Sequence, residues 1–66
     1  MDEIKAGQIW KRRIDSIGGD ELIQIIGLFK DDDTWLNYKN TKGIYCTMLV
    51  CDLRRHYRLL FDVMEV

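Results

Sequence analysis

The chain has 66 residues, of which 47% are hydrophobic and 32% are charged, and its formal net charge is −1 at pH 7. This length predicts a single domain, residues 1–66, and the composition is that of a folded globular protein and not of a disordered segment. A net charge so close to zero excludes a global electrostatic attraction to nucleic acid or anionic membranes, so any such attraction has to be local.

The first predicted strand and its hairpin occupy the N-terminal third of the chain. The strand spans Gly7–Ile14, with Trp10 and Ile14 on one face and Ile9 on the other, because side chains alternate along a strand. Gly18-Gly19 supplies the positive φ that a tight hairpin loop needs. A turn into a second strand is therefore expected there.

The second and third predicted strands differ in pattern. Leu22–Phe29 is nearly all apolar, which predicts the most buried strand of the domain. Gly27 lies within it, and a glycine inside a strand predicts a β-bulge or a sharp bend. Thr34–Asn40 alternates instead, and its pattern places Leu36 and Tyr38 toward the core.

The next hairpin, between the third and fourth strands, is closed by Lys42-Gly43. The fourth predicted strand is Ile44–Val50, and the last is Arg58–Val66. The last strand alternates, so one of its faces is predicted to consist of three apolar residues, Leu59, Phe61 and Val63.

A short helical turn is predicted between the fourth and last strands. Asp52 is a favourable N-cap residue for it. Leu53 and Tyr57 are four positions apart, so both can face the core of the domain. The same spacing leaves Arg54 and Arg55 exposed to solvent.

These elements together predict an all-β fold. Five short antiparallel strands with one helical turn before the last are the element order of a small Src homology 3-like barrel. In that fold the last strand returns beside the first, which hides most edge backbone and suits a short chain. The predicted order of elements agrees less well with an OB-fold, in which the helix usually lies between the third and fourth strands.

Three segments carry a resemblance to a known group of proteins: GQIWKRR near the start, W-x-x-Y in the third strand, and DLRRHYRLL, which runs from the helical turn into the last strand. Together they resemble the small Src homology 3-like barrel proteins of bacteriophages and prophages. The similarity spans nearly the whole chain and rests on structural motifs. It implies a bacterial or phage setting and no established activity.

The sequence also bears on location. The start, MDEIKAGQIW, is charged within three residues, which is unlike a signal peptide. No apolar run approaches the ~20 residues that a membrane-spanning helix needs. We therefore expect a protein of the bacterial cytoplasm.

Residues with reactive or metal-binding side chains form no recognisable motif. Cys46 and Cys51 lack the C-x-x-C spacing, and with the single histidine, His56, they offer three zinc ligands where a structural site wants four. We expect both thiols to be buried, reduced and without a disulfide.

Asp31–Asp33 lacks the alternating spacing of a calcium loop and is expected to be a solvated hairpin tip. We predict no enzyme, no catalytic residue, no cofactor and no metal.

Positive charge is concentrated in two runs, Lys11–Arg13 and Arg54–Arg58. If the last strand lies beside the first, the two runs converge into one patch with six cations: Lys11, Arg12, Arg13, Arg54, Arg55 and Arg58. Such a patch predicts salt-sensitive contacts with phosphates. The alternative is that these side chains only solvate the surface of a highly charged chain.

Large aromatic residues suggest a second kind of contact. Trp35, Trp10 and Tyr45 are those expected to reach the surface, and Trp, Tyr and Arg dominate the hot spots of protein interfaces. The sequence therefore predicts a non-enzymatic protein-binding module. Its candidate binding residues are Trp35, Tyr45, Arg12, Arg13, Arg54, Arg55 and Arg58.

Two classes of partner follow from these residues. The resemblance to phage proteins implies a host protein, such as a component of a defence system, and the other protein partner to be considered is a second copy of the chain. The alternative is a nucleic acid held by the basic residues, with bases stacked on Trp35 or Tyr45. The negative net charge places protein recognition first.

Overall fold

The computed structural model describes residues 3–14 and 18–63. It contains five strands and one helix: β1 (Ile9–Arg12), β2 (Leu22–Asp31), β3 (Asp33–Asn40), β4 (Tyr45–Leu49), α1 (Val50–His56) and β5 (Tyr57–Phe61). The strands form one antiparallel sheet in the order β4-β3-β2-β1-β5. The predicted strand number, the helical segment before the last strand and the pairing of the last strand with the first are confirmed.

The hydrophobic core lies on one face of this sheet, beneath α1. Its buried members are Ile4, Trp10, Ile23, Ile25, Leu36, Leu53 and Tyr57. Tyr38, Met48, Val50 and Leu59 are partly buried and pack against them. The inward orientation predicted for Leu36 and Tyr38 is therefore confirmed.

Strand β1 is shorter than predicted. Trp10 is only 3% exposed, whereas Ile14, which was expected on the same face, is fully exposed. The pairing of β1 with β5 ends at Arg12, although the N–H of Arg13 still donates to the carbonyl of His56 at 2.8 Å. Ile14 therefore lies beyond the strand, where alternation no longer directs its side chain. The expectation that Trp10 reaches the surface was also wrong.

Strand β2 is buried only in its first half. Ile23 and Ile25 belong to the core, but Leu28 and Phe29 are exposed, which contradicts the prediction for the whole strand. The physical reason is that β1 pairs only with Leu22–Gln24, so the second half of β2 has β3 as its sole partner strand. The predicted bulge is confirmed, since the pairing with β3 shifts register between Ile25 and Gly27.

Helix α1 begins earlier than predicted. It starts at Val50, the preceding residue Leu49 makes no side-chain cap, and Asp52 lies in the first turn, so the N-cap assigned to Asp52 was wrong. Val50 and Leu53, three positions apart, both contact the core, and this packing extends the helix toward β4.

The prediction for the faces of the helical segment is confirmed in part. Leu53 and Tyr57 are buried and Arg55 is exposed, as expected, although Tyr57 is the first residue of β5. Arg54, which was expected to be exposed, is half-buried. His56, the last residue of the helix, is half-buried as well.

Strand β5 does not keep the predicted alternation. Trp10 pairs with Leu59 but Ile9 pairs with Phe61, so Leu60 is an extra residue in a bulge. Leu59 consequently faces the core, while Phe61 is turned to the opposite side of the sheet and is 63% exposed. The strand ends at Phe61, and residues 64–66 of the predicted strand lie outside the described part of the chain.

Candidate binding surfaces

The sheet face opposite the core, here called the outer face, carries a row of residues that crosses all five strands. Residues directly opposite one another on paired strands share a face. The register places five residues in this row: Phe61, Ile9, Gln24, Lys39 and Tyr45. The aromatic side chains at its two ends are the most exposed, at 63% for Phe61 and 69% for Tyr45.

A compact aromatic group lies at one corner of the outer face. Trp35 pairs with Phe29 on β2 and with Leu49 on β4, and we call these three residues the aromatic corner. The rings of Phe29 and Trp35 are stacked, with centroids 6.3 Å apart and an interplanar angle of 13°. The indole N–H of Trp35 also donates to the backbone carbonyl of Asp31 at 3.2 Å.

This arrangement fixes the Trp35 ring while leaving part of it accessible. Trp35 is half-buried, so part of it reaches the surface as predicted, and Phe29 is exposed. An interface residue that is already ordered loses less conformational entropy on binding than a mobile one. The aromatic corner is thus a pre-ordered apolar surface.

Tyr45 lies on the same face but apart from Trp35. It pairs with Lys39, which is four residues from Trp35 along β3, or about 13 Å in an extended strand. The two predicted aromatic binding residues therefore share a face without forming one cluster in the monomer.

An acidic hairpin tip adjoins the aromatic corner. Asp31, Asp32 and Asp33 are all exposed, and Asp32 makes the turn with φ +60°. The carboxylate of Asp33 accepts a hydrogen bond from the N–H of Thr34 at 2.8 Å. Within residues 3–14 and 18–63, no group of three His, Cys, Asp or Glu side chains is arranged to hold a metal ion.

Basic residues gather at the opposite end of the sheet. Lys11 pairs directly with Arg58, as expected if the first and last strands are neighbours. A shallow concave surface there is lined by Lys11, Arg12, Arg13, Ile14 and Arg58, and we call these four cations the basic patch. Arg13 and Arg58 are exposed.

Arg12 has a structural task within this patch. One of its guanidinium nitrogens donates to the carbonyls of Gly18 and Gly19, both at 2.8 Å. These bonds hold the glycine turn against β1 and occupy donors that a phosphate would otherwise use.

Arg54 and Arg55 are not among the residues that line the concave surface. They lie in α1, whereas the basic patch is formed by β1, the residue after it, and β5. The structure therefore brings together Arg12, Arg13 and Arg58 of the predicted binding residues and places Arg54 and Arg55 on a separate element.

A buried glutamine organises the N-terminal segment, and the sequence analysis missed it. Gln8 is fully buried, and its side-chain oxygen accepts the indole N–H of Trp10 at 3.0 Å and the backbone N–H of Lys5 at 2.9 Å. Its amide nitrogen donates to the carbonyl of Glu3 and to the carboxylate of Asp62, both at 2.8 Å. Its position two residues before Trp10, on the core-facing side of the strand, was the available signal.

The hydrogen bond from Gln8 also changes the acidity of its partner. The Gln8 amide and, secondly, the N–H of Val63 stabilise the ionised form of Asp62 and lower the pKa of its carboxyl group. Asp62 thereby joins the end of the described chain to the segment before β1.

A second concave surface lies between α1 and the core-facing side of the sheet. It is lined by Gly18, Gly19, Tyr38, Met48, Asp52, His56 and Tyr57.

Two tyrosines of this surface have altered acidity. The Tyr57 hydroxyl donates to the backbone carbonyl of Asp20 at 2.7 Å. Burial, followed by the nearby Asp20 carboxylate, raises the pKa of Tyr57, and burial together with the neighbouring Cys46 raises the pKa of Tyr38 to about 12. Both phenols are therefore neutral at pH 7.

The two cysteines differ from the prediction in their burial. Cys46 is half-buried and Cys51 is exposed, so the expectation of two buried thiols was wrong. Cys51 is the second residue of α1, on the side of the helix away from Leu53. Both are free thiols.

Comparison with known proteins adds no relative. No protein-family model, curated protein or solved structure matches this chain. Among the residues that the structure describes, no helix is both long and apolar enough to span a membrane.

Proposed function

We propose that this protein is a non-enzymatic module that binds another protein through the outer face of its sheet, with Trp35 as the central contact. The observation that carries the proposal is the state of the Trp35 ring, which is held by stacking on Phe29 and by its bond to the Asp31 carbonyl while part of it stays accessible. Tryptophan is one of the residues enriched at the hot spots of protein interfaces.

The fold and origin that we propose are those implied by the resemblance to small phage and prophage proteins. The helix between β4 and β5 and the pairing of β5 with β1 support a Src homology 3-like barrel. If the protein has this origin, it acts in the bacterial cytoplasm on a host protein, for example a component of a defence system.

The charge distribution favours a protein over a nucleic acid as the partner. The aromatic corner adjoins Asp31, Asp32 and Asp33, whose carboxylates repel phosphates. The basic patch lies at the other end of β2, seven residues from Phe29 and thus roughly 20 Å along the strand. Base stacking on Trp35 and phosphate contacts at the patch are therefore too far apart for one nucleotide.

One observation supports nucleic-acid binding as the second candidate. Lys11 and Arg58 are directly opposite each other on paired strands, and like charges so placed destabilise a sheet. An anion bound between them, with Arg13 beside them, would relieve this repulsion. The arrangement favours a phosphate contact near β5, away from the aromatic corner.

The test of the proposed function is quantitative binding with matched variants. The tagged protein is expressed in a bacterial host, captured proteins are identified by mass spectrometry, and the strongest candidate is purified for titration. We expect Trp35→Ala to weaken binding of that protein by about 30-fold, the loss of about 2 kcal/mol typical of a hot-spot residue. Ile14→Ala, which removes a fully exposed apolar side chain elsewhere, is the control and is expected to bind as the wild type does.

Equal binding by wild type, Trp35→Ala and Ile14→Ala would contradict the proposal, because it would place the contact away from the aromatic corner. If Trp35→Ala loses the Trp10 near-ultraviolet signal, and so does not fold, Trp35→Phe replaces it in the titration, since it retains an aromatic ring opposite Phe29. Equal binding by wild type and a folded Trp35→Phe variant would then contradict the proposal.

A further inference from the structure

Strand β4 is an end strand of the sheet, and its outer edge has no partner strand within residues 3–14 and 18–63. Exposed strand edges are templates for pairing with another chain, and monomeric proteins usually protect them with charges, prolines or bulges. Strand β4 has none of these. It lies within residues 43–51, the longest uncharged run of the chain, which contains no proline.

The other end of the sheet is protected. Strand β5 carries Arg58, and the extra residue Leu60 makes a bulge that interrupts its ladder. Both features discourage strand addition. The two edges of the sheet are therefore chemically unlike, and only β4 is suited to pairing.

The hydrogen-bond phase of β4 shows which backbone groups face its open edge. The N–H of Asn40 donates to the carbonyl of Ile44 at 3.0 Å, so these two residues are bonded across the β3–β4 hairpin. In an antiparallel ladder, bonded positions alternate with positions whose groups point outward. Cys46 and Met48 therefore bond to β3, while Tyr45, Thr47 and Leu49 direct their N–H and carbonyl groups to the open edge.

We infer that β4 pairs antiparallel with β4 of a second copy of this chain, about a two-fold axis at Thr47. In this register Thr47 faces its own counterpart, and Tyr45 faces Leu49 of the second copy at both ends. All three outward-facing residues are then bonded. A register displaced by one or two residues along β4 leaves some of them unbonded, which makes the Thr47-centred pairing the most stable one.

Side-chain chemistry agrees with this register. The run is uncharged, so self-pairing brings no like charges together. Tyr45, which is 69% exposed in the monomer, is covered by Leu49 of the second copy. Since Leu49 belongs to the aromatic corner, the dimer joins Trp35 of one copy and Tyr45 of the other into one continuous apolar surface.

Dimerisation stands independently of the proposed protein-binding function, because Thr47 can be altered without changing Trp35. Sedimentation of the full chain from about 1 µM to 1 mM is expected to show a monomer–dimer equilibrium, as befits a small interface. Thr47→Pro removes an N–H that makes no bond within the monomer, so it should abolish the dimer and leave the Trp10 near-ultraviolet signal unchanged. Thr47→Lys should also abolish the dimer, because it places two ammonium groups at the two-fold axis. Thr41→Lys adds the same charge in the exposed turn before β4 and should dimerise as the wild type does.

The register is tested by cross-linking. In a Cys46→Ser, Cys51→Ser background, Thr47→Cys is expected to form a disulfide-linked dimer on mild oxidation, because Cα atoms of a bonded antiparallel pair are about 5.5 Å apart. Thr41→Cys in the same background is expected to stay largely monomeric. A wild type that is monomeric throughout the concentration series, or a dimer that persists in both Thr47→Pro and Thr47→Lys, would overturn the inference. Equal cross-linking of the two cysteine variants would overturn the proposed register.

Discussion

The indole N–H of Trp10 donates to the side-chain oxygen of Gln8 at 3.0 Å, and both side chains are buried. Trp10 is a member of the core, and its one polar atom would be unsatisfied there without this partner. Gln8 in turn bonds to the backbone of Glu3 and Lys5 and to Asp62. A single side chain thus connects the core to both ends of the described chain.

Replacing Gln8 should destabilise the protein more than an ordinary polar substitution. Gln8→Leu has a similar volume but leaves the Trp10 N–H without an acceptor, and we expect a loss of about 2–3 kcal/mol in the free energy of unfolding. Urea denaturation followed by tryptophan fluorescence measures it. Gln24→Leu, at a half-buried outer-face position, is the control and should change stability by less than about 1 kcal/mol. Similar losses in both variants would contradict the role given to Gln8.

Stability should depend on the protonation of Asp62. Its pKa is lowered in the folded protein, first by the Gln8 amide and then by the N–H of Val63. The resulting stabilisation is present above the unfolded-state pKa of about 3.9 and is lost as the pH falls through the lower folded-state value. We therefore expect Asp62→Asn to reduce the decline of unfolding free energy with falling pH below about pH 4. The measurement is a series of urea titrations from about pH 2 to pH 6.

A double-mutant cycle isolates this hydrogen bond. In the Gln8→Leu background the main cause of the pKa shift is absent, so adding Asp62→Asn should change the acid dependence much less than it does in the wild type. Equal changes in the two backgrounds would show that Gln8 is not the cause.

Two glycines with nearly the same backbone conformation should respond differently to substitution. Gly19 and Gly43 both have φ +81°, so a side chain at either position costs roughly 1–2 kcal/mol in backbone strain. A Cβ at Gly19 would also lie 3.2 Å from the Tyr57 hydroxyl, whereas one at Gly43 meets open space. That hydroxyl is held by its bond to Asp20, so it does not yield freely.

We therefore expect Gly19→Ala to lower the unfolding free energy clearly more than Gly43→Ala does, as measured by urea denaturation. Adding Tyr57→Phe removes the contacted oxygen and should bring the cost of Gly19→Ala down to that of Gly43→Ala. A cost of Gly19→Ala that is the same in both backgrounds would be inconsistent with this contact.

Binding to nucleic acid should be weak and confined to the basic patch. The test is to titrate a fluorescent single-stranded or duplex probe with protein at low salt; any affinity should fall by roughly one power of salt concentration per phosphate contact. Arg13→Ala with Arg58→Ala should flatten that dependence, because both residues line the patch. Arg54→Ala with Arg55→Ala removes the same charge from α1 and should have the smaller effect.

At about 0.15 M salt we expect negligible probe binding by the wild type, since the net charge is −1 and salt at this concentration weakens phosphate contacts. The order of the two proposed functions would be reversed by tight, salt-dependent probe binding that is abolished by the Arg13 and Arg58 changes and unaffected by Trp35→Ala.

Local patterns in the sequence were sufficient for the elements and for much of the core. Glycine positions predicted the two glycine-containing hairpins, because Gly18, Gly19 and Gly43 have positive φ, which few other residues adopt. The glycine inside β2 predicted the bulge at Gly27. Four-residue spacing predicted that Leu53 and Tyr57 are both buried, although the helix ends at His56 and Tyr57 is buried as the first residue of β5. The alternation of residue types along β3 predicted that Leu36 and Tyr38 point toward the core.

The pairing of strands determined features that the alternation of polar and apolar residues along a single strand does not reveal. The short β1 left the second half of β2 without cover, and the extra residue Leu60 turned Phe61 to the outer face, because strand length and bulges depend on the partner strand. The same pairing brought Lys11 beside Arg58, the guanidinium group of Arg12 is bonded to the glycine turn, and Arg54 and Arg55 lie in α1 and do not line the same concave surface. Which cations and aromatics share a surface is a property of register, and register is set by contacts between segments distant in the chain.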